Sequence, residues 1–203
     1  MPYKILYNLV FSDSVMNIDS YIMLTETEKV FKIAKEGKVL SIFCHKITLP
    51  RTDLKQYLLK RCKLSRLYYD VLQYIVDLAN RESINYIIFK TIKSFSYDCT
   101  DIDILVRDRY EALALIRALA QEDFRLISKG TKAYVMRKII EGYDIDIDIQ
   151  WSISIGTFDY LQYDNFDDLR YEYKDNKLKL YIMRPEYELL VIAGHSVLKD
   201  FSI

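Results

Sequence analysis

The chain has 203 residues, 51% of them apolar and 29% charged, with 29 basic against 29 acidic residues and therefore no formal net charge. This excludes a disordered chain, gives enough length for a sizeable core, and removes any global field that would draw long nucleic acid or an anionic membrane. Cys44, Cys62 and Cys99 are too few and too far apart for a zinc site or a disulfide framework, and no segment approaches the ~18 uncharged apolar residues of a membrane span.

A soluble, cytoplasmic protein without a membrane partner is expected. Eighteen tyrosines with many Ile and Lys suit a thermophilic source. Charge is segregated along the chain. Six basic residues face one Asp between Arg51 and Arg66, whereas ten acidic residues face two basic ones between Glu141 and Asp175.

Taken in chain order, residues 1 to 84 are expected to form a mainly helical N-terminal region. One helix is expected from Glu26 to Lys35. A longer one is expected from Asp53 to Asn80, where Leu54, Leu58, Leu67, Val71, Leu72 and Ile75 recur at three-to-four spacing. Residues 85 to 203 change texture. Tyr86-Ile87-Ile88-Phe89 has the β-branched and aromatic character of a buried strand, and Asp101 to Arg107 predicts the next.

A helix follows over 110–121, with four alanines, and then an extended piece from Phe124 to Ile127. Ala133 to Ile140 and Tyr143 to Trp151 predict a hairpin about Glu141-Gly142. Residues 178 to 183 predict a last strand, and Pro185 opens a helix running to Lys199. The sequence ends four residues later, which suits a piece of a longer protein.

Two places carry chemistry. Asp101 and Asp103 alternate on one strand and so share a face, about 6 to 7 Å apart along it. Asp144, Asp146 and Asp148 share a face of the hairpin strand, with Ile145, Ile147 and Ile149 opposite. A hard divalent cation such as Mg²⁺ or Mn²⁺ takes oxygen ligands and reaches substrate phosphates too. The Asp101/Asp103 pair and one carboxylate of the hairpin suit it, and Asp148 and Asp146 both remain open as the third. An acidic solvent face on an edge strand would read the same way.

The stretch from Phe89-Lys90-Thr91 to Asp101-Ile102-Asp103-Ile104-Leu105-Val106 resembles a poorly characterised branch of the polymerase-β nucleotidyltransferase superfamily. The hairpin end Asp148-Ile149-Gln150-Trp151 is similar to that branch's Asp-Leu-His-Trp, and Pro185 to His195 to its later helix. The resemblance covers about residues 85 to 200. It implies an α+β fold with a small mixed sheet and flanking helices.

It also implies transfer of a nucleoside monophosphate from an NTP to an acceptor hydroxyl, with Mg²⁺ or Mn²⁺ on Asp101, Asp103 and Asp148. The triphosphate would meet Thr91, Lys90 and Lys93, and the acceptor stays open between protein, tRNA and small molecule. A catalytically inactive nucleotide-binding or protein-interaction module is the alternative. The superfamily's Gly-Ser before the Asp pair is Lys90-Thr91 here, and Gln150 stands for its His.

Overall fold

The structure, a computed structural model, describes residues 52–92, 100–155, 158–174 and 178–201. The expected helix at Glu26 to Lys35 and the loop lysine Lys93 lie outside them. By internal contacts the chain divides into two units, residues 1–67 with 93–99, and residues 68–92 with 100–203. Of the first unit only the opening half of helix α1 (Thr52–Arg81) is described, with Lys60, Lys63 and Arg66 exposed along it.

The second unit is a mixed sheet with helices. After the remainder of α1 come β1 (Tyr86–Phe89), β2 (Ile102–Val106), α2 (Arg109–Gln121), β3 (Arg125–Lys129), β4 (Ala133–Ile140) and β5 (Tyr143–Gln150). There follow β6 (Ile153–Ile155), β7 (Phe158–Leu161), a 3-10 turn (Phe166–Leu169), β8 (Arg170–Lys174), β9 (Lys179–Met183) and α3 (Pro185–Phe201). Seven strands form one sheet in the order β3-β4-β5-β2-β1-β9-β8, while β6 and β7 pair separately.

Within the large sheet β2 runs parallel to β5 and β1 parallel to β9, and the other neighbours are antiparallel. The architecture is α+β with a central mixed sheet and flanking helices. Strands β6, β7 and β8 were not expected from the sequence. The extended piece foreseen at Phe124 to Ile127 forms as Arg125–Lys129, an exposed edge strand, with Phe124 buried just before it.

The central strands are buried on both faces, which is why β1 and β2 read as nearly unbroken apolar runs. Ile102, Ile104, Ile145, Ile147 and Ile149 are fully buried on one face. On the other, Ile87, Phe89 and Leu105 pack with Ile153, Phe166, Leu169, Met183 and Val191 of α3. Asp103 lies in register with Phe89, and so on this second face, at the margin of an apolar cluster.

Local sequence fixes the connections. Glu141 (φ 51°) and Gly142 (φ 81°) turn the β4–β5 hairpin with two consecutive left-handed residues, as a two-residue type I′ loop requires. Asp108 caps α2, accepting from the Tyr110 and Glu111 amides at 2.7 and 2.9 Å. Glu111 accepts from Asn85 Nδ2 at 2.8 Å, tying α2 to the entry of β1.

Candidate active site

Parallel pairing of β2 with β5 places Asp103 directly opposite Asp148, and Leu105 opposite Gln150. Side chains directly opposite one another share a face with Cβ atoms about 5 Å apart, so the sheet brings two carboxylates together. Asp103 is 5% exposed, the one buried charged residue among the described residues. Burial pushes its carboxyl up to about 6; the Lys90 ammonium pulls the other way, and Asp101 and Asp148 reinforce the rise.

Asp148 is raised as well, chiefly by burial, against a hydrogen bond from Gln150. Gln150 Nε2 donates to Asp148 Oδ2 at 3.0 Å, two residues along the same strand face. The other oxygen, Oδ1, is buried without a hydrogen-bond partner among the described residues. A buried carboxylate oxygen left unpaired costs on the order of 1–3 kcal/mol, which a bound cation or a proton removes.

Asp101 stands one residue before β2, partly exposed, and its Oδ1 accepts from the Thr100 hydroxyl at 3.0 Å. Its charge is felt at both Asp103 and Asp148. Among the described residues, however, no three Asp, Glu, His or Cys side chains converge as a ready-made metal cluster. The structure assembles a close pair with Asp101 beside it. An all-oxygen, anionic set with one orphaned buried oxygen nevertheless fits a hard divalent cation.

Lys90 and Thr91 close the site from the end of β1. The Thr91 amide donates to Phe89 O at 2.7 Å across Lys90, whose φ is 57°, so the chain makes a tight γ-turn of the strained, positive-φ kind. The Thr91 hydroxyl accepts from the Asp103 amide at 3.0 Å and donates to Phe89 O at 3.1 Å, bracing β2 against β1. Lys90 Nζ lies 3.1 Å from Asp103 Oδ1 and 4.8 Å from the Phe89 ring centroid. Glu188, in the first turn of α3, accepts from the Lys90 amide at 2.6 Å.

The other acidic residues of β5 are committed elsewhere. Arg137, their cross-strand neighbour on β4, donates to both oxygens of Asp146 at 2.5 and 2.7 Å and lies 2.9 Å from Asp144. Between the two alternatives left open by the sequence, Asp148 is therefore the one beside Asp103. Lys132 pairs with Asp159 of β7, which also accepts from Ser152, and both bonds hold the Asp159 carboxyl below its usual range. Lys129 sits 5.9 Å above the Tyr134 ring. Trp151, partly buried, stacks at a tilt on Tyr134 with centroids 4.9 Å apart.

Two site residues escaped the sequence argument. Glu188 is 98 positions from Lys90 in the chain and only the tertiary fold joins them. Arg137 had a usable signal: Arg137 and Asp146 are equidistant from the Glu141-Gly142 turn, so a two-residue hairpin loop puts them opposite one another.

No family model and no curated protein matches the chain. Among solved structures, a candidate nucleotidyltransferase from Thermotoga maritima is similar over 66% of this chain and 88% of its own, at 19% identity and a TM-score of 0.49.

Proposed function

We propose that the chain is a metal-dependent nucleotidyltransferase that moves a nucleoside monophosphate from an NTP to an acceptor hydroxyl and releases pyrophosphate. One observation carries this reading: two carboxylates, Asp103 buried and Asp148 partly buried, face each other across parallel strands, and one oxygen of Asp148 is buried and unpaired. Buried like charges are unfavourable, and their retention in a well-packed sheet is a mark of function. Asp101, Asp103 and Asp148 would hold Mg²⁺ or Mn²⁺. When bound, the cation supplies Lewis-acid stabilisation of the oxygens at the transferring phosphorus.

The remaining steps fall to the chain's own groups. Asp148 takes the proton of the attacking hydroxyl. Gln150 holds the second oxygen and so fixes the carboxylate plane. Thr91 and Lys93 are assigned to the triphosphate, Thr91 by exchanging its bond to the Phe89 carbonyl for one to phosphate. The acceptor is a protein, tRNA or small-molecule hydroxyl.

The test is calorimetric titration of each NTP with Mg²⁺ or Mn²⁺ into wild type and an Asp101→Ala/Asp103→Ala variant. Metal-dependent binding lost in the variant supports the reading, and no binding to wild type sinks it. A second reading, a nucleotide-binding module without turnover, draws on the Lys90 ammonium resting on Asp103. It predicts nucleotide binding with no pyrophosphate release from any acceptor.

A further inference from the structure

Lys90 is built into this site more firmly than a surface lysine. A four-carbon stem ordinarily samples many rotamers, and an exposed lysine ion pair contributes little. Here the residue sits at φ 57° in a γ-turn, closed by the Thr91 amide on Phe89 O. Left-handed backbone costs a non-glycine residue about 1 kcal/mol or more and persists only where the surroundings enforce it. Glu188 enforces it by accepting from the Lys90 amide. The stem then runs over the Phe89 ring and delivers Nζ to Asp103 Oδ1, with three-quarters of the side chain covered.

The carboxylates around that ammonium are Asp101, Asp103 and Asp148 at the site and Glu188 at the Lys90 backbone, and of these Lys90 sets its ammonium directly on Asp103. Sites that hold two metal ions about 4 Å apart clamp both oxygens of the displacement, and they need carboxylate oxygens for each ion. Asp103 has one oxygen committed to an ammonium, while the unpaired oxygen lies on Asp148.

We infer that Lys90 is the residue that restricts this site to one divalent cation, its ammonium holding the Asp103 carboxylate that a second ion would need. The inference rests on the reading of the acidic pair as a cation site. It gives Lys90 a place on the carboxylate side of the chemistry and not on the triphosphate. Removing the ammonium deletes a like charge next to the second position, which strengthens binding there on the order of 100-fold or more.

The experiment is a Mn²⁺ titration of the full chain, free of nucleotide, followed by electron paramagnetic resonance and calorimetry. Wild type, Lys90→Met, Lys90→Gly and Asp148→Asn are compared. Glycine accepts φ 57° without strain, so Lys90→Gly keeps the turn even if the methionine variant folds poorly. The expected result is one Mn²⁺ per wild-type chain and two, spin-coupled, in both Lys90 variants. Two ions in wild type, or one in wild type and both Lys90 variants, overturns the inference. No Mn²⁺ on any of the four proteins overturns the cation-site reading itself. Binding to Asp148→Asn equal to wild type would show that the ion sits elsewhere and overturns both.

Discussion

Replacing Asp103 by Asn isolates the cost of burying a charge at the centre of the sheet. The carboxyl rises from 3.8 to about 6 in the folded chain, chiefly through burial. About two pH units correspond to roughly 3 kcal/mol against the ionised form. The sign follows from the direction. Below about pH 4 the group is protonated whether folded or unfolded and contributes nothing. Between about pH 4 and pH 6 the folded chain keeps the proton that the unfolded chain has lost, so this carboxyl lowers stability as pH rises. Above about pH 6 the full penalty stands.

Asn removes the charge and leaves the Lys90 ammonium without its partner, which costs about 1 kcal/mol since that side chain is 25% exposed and can reach water. At pH 7.5 in chelator, Asp103→Asn is therefore expected to be about 1–2 kcal/mol more stable than wild type in urea unfolding, while losing Mn²⁺ binding. At pH 3.5 that advantage disappears. Parallel stability curves for the two proteins from pH 3.5 to 7.5, or a variant that gains relative to wild type as pH falls, would refute the reasoning.

Other perturbations test the frame around the site. Ile147→Ala on β5 empties a fully buried position between two strands and is expected to lower unfolding free energy by about 3 kcal/mol, read by urea denaturation. Gly142→Ala meets no atom within 4 Å, so its cost is conformational alone, about 1 kcal/mol from φ 81°, seen as a shifted urea midpoint with unchanged slope. Arg137→Gln removes the guanidinium that joins Asp144 and Asp146; the midpoint should fall in low salt and recover in high salt, with Mn²⁺ affinity unchanged because Asp148 has other partners. Gln150→Leu should weaken Mn²⁺ binding by roughly 10-fold, the usual cost of losing a hydrogen bond that orients a ligand, without moving the unfolding midpoint in chelator by more than a few tenths of a molar.

What the sequence revealed follows from which interactions are local or periodic. Helix α1, the β4–β5 hairpin and the opening of α3 at Pro185 announce themselves through apolar period, a turn dipeptide and a proline. The alternation Asp-Ile-Asp-Ile-Asp on β5 gave its two faces, and the isoleucines are buried as that alternation demands. Strand β8, Arg-Tyr-Glu-Tyr-Lys, escaped because it is a sheet edge that needs no apolar side, held by its pairing with β9. Strands β6 and β7 have three and four residues, too few for a period to show. The approach of Asp103 to Asp148 could be anticipated only as one of two choices, since the parallel register of β2 on β5 decides it.

The turn at Lys90 shows how a position with positive φ is held without glycine. Glycine is preferred wherever φ must be positive, because it alone adopts such angles without steric cost. Lys90 adopts φ 57° all the same, held by a carboxylate from α3 and by the Thr91 hydroxyl that ties the next strand to the turn. Each of those contacts comes from a residue that a glycine would not have required. The positive φ at Lys90 is thus held by tertiary bonds in place of intrinsic preference, and the position carries a side chain. That side chain ends on Asp103, the most deeply buried charge described, and gives the carboxylate pair a cation of its own.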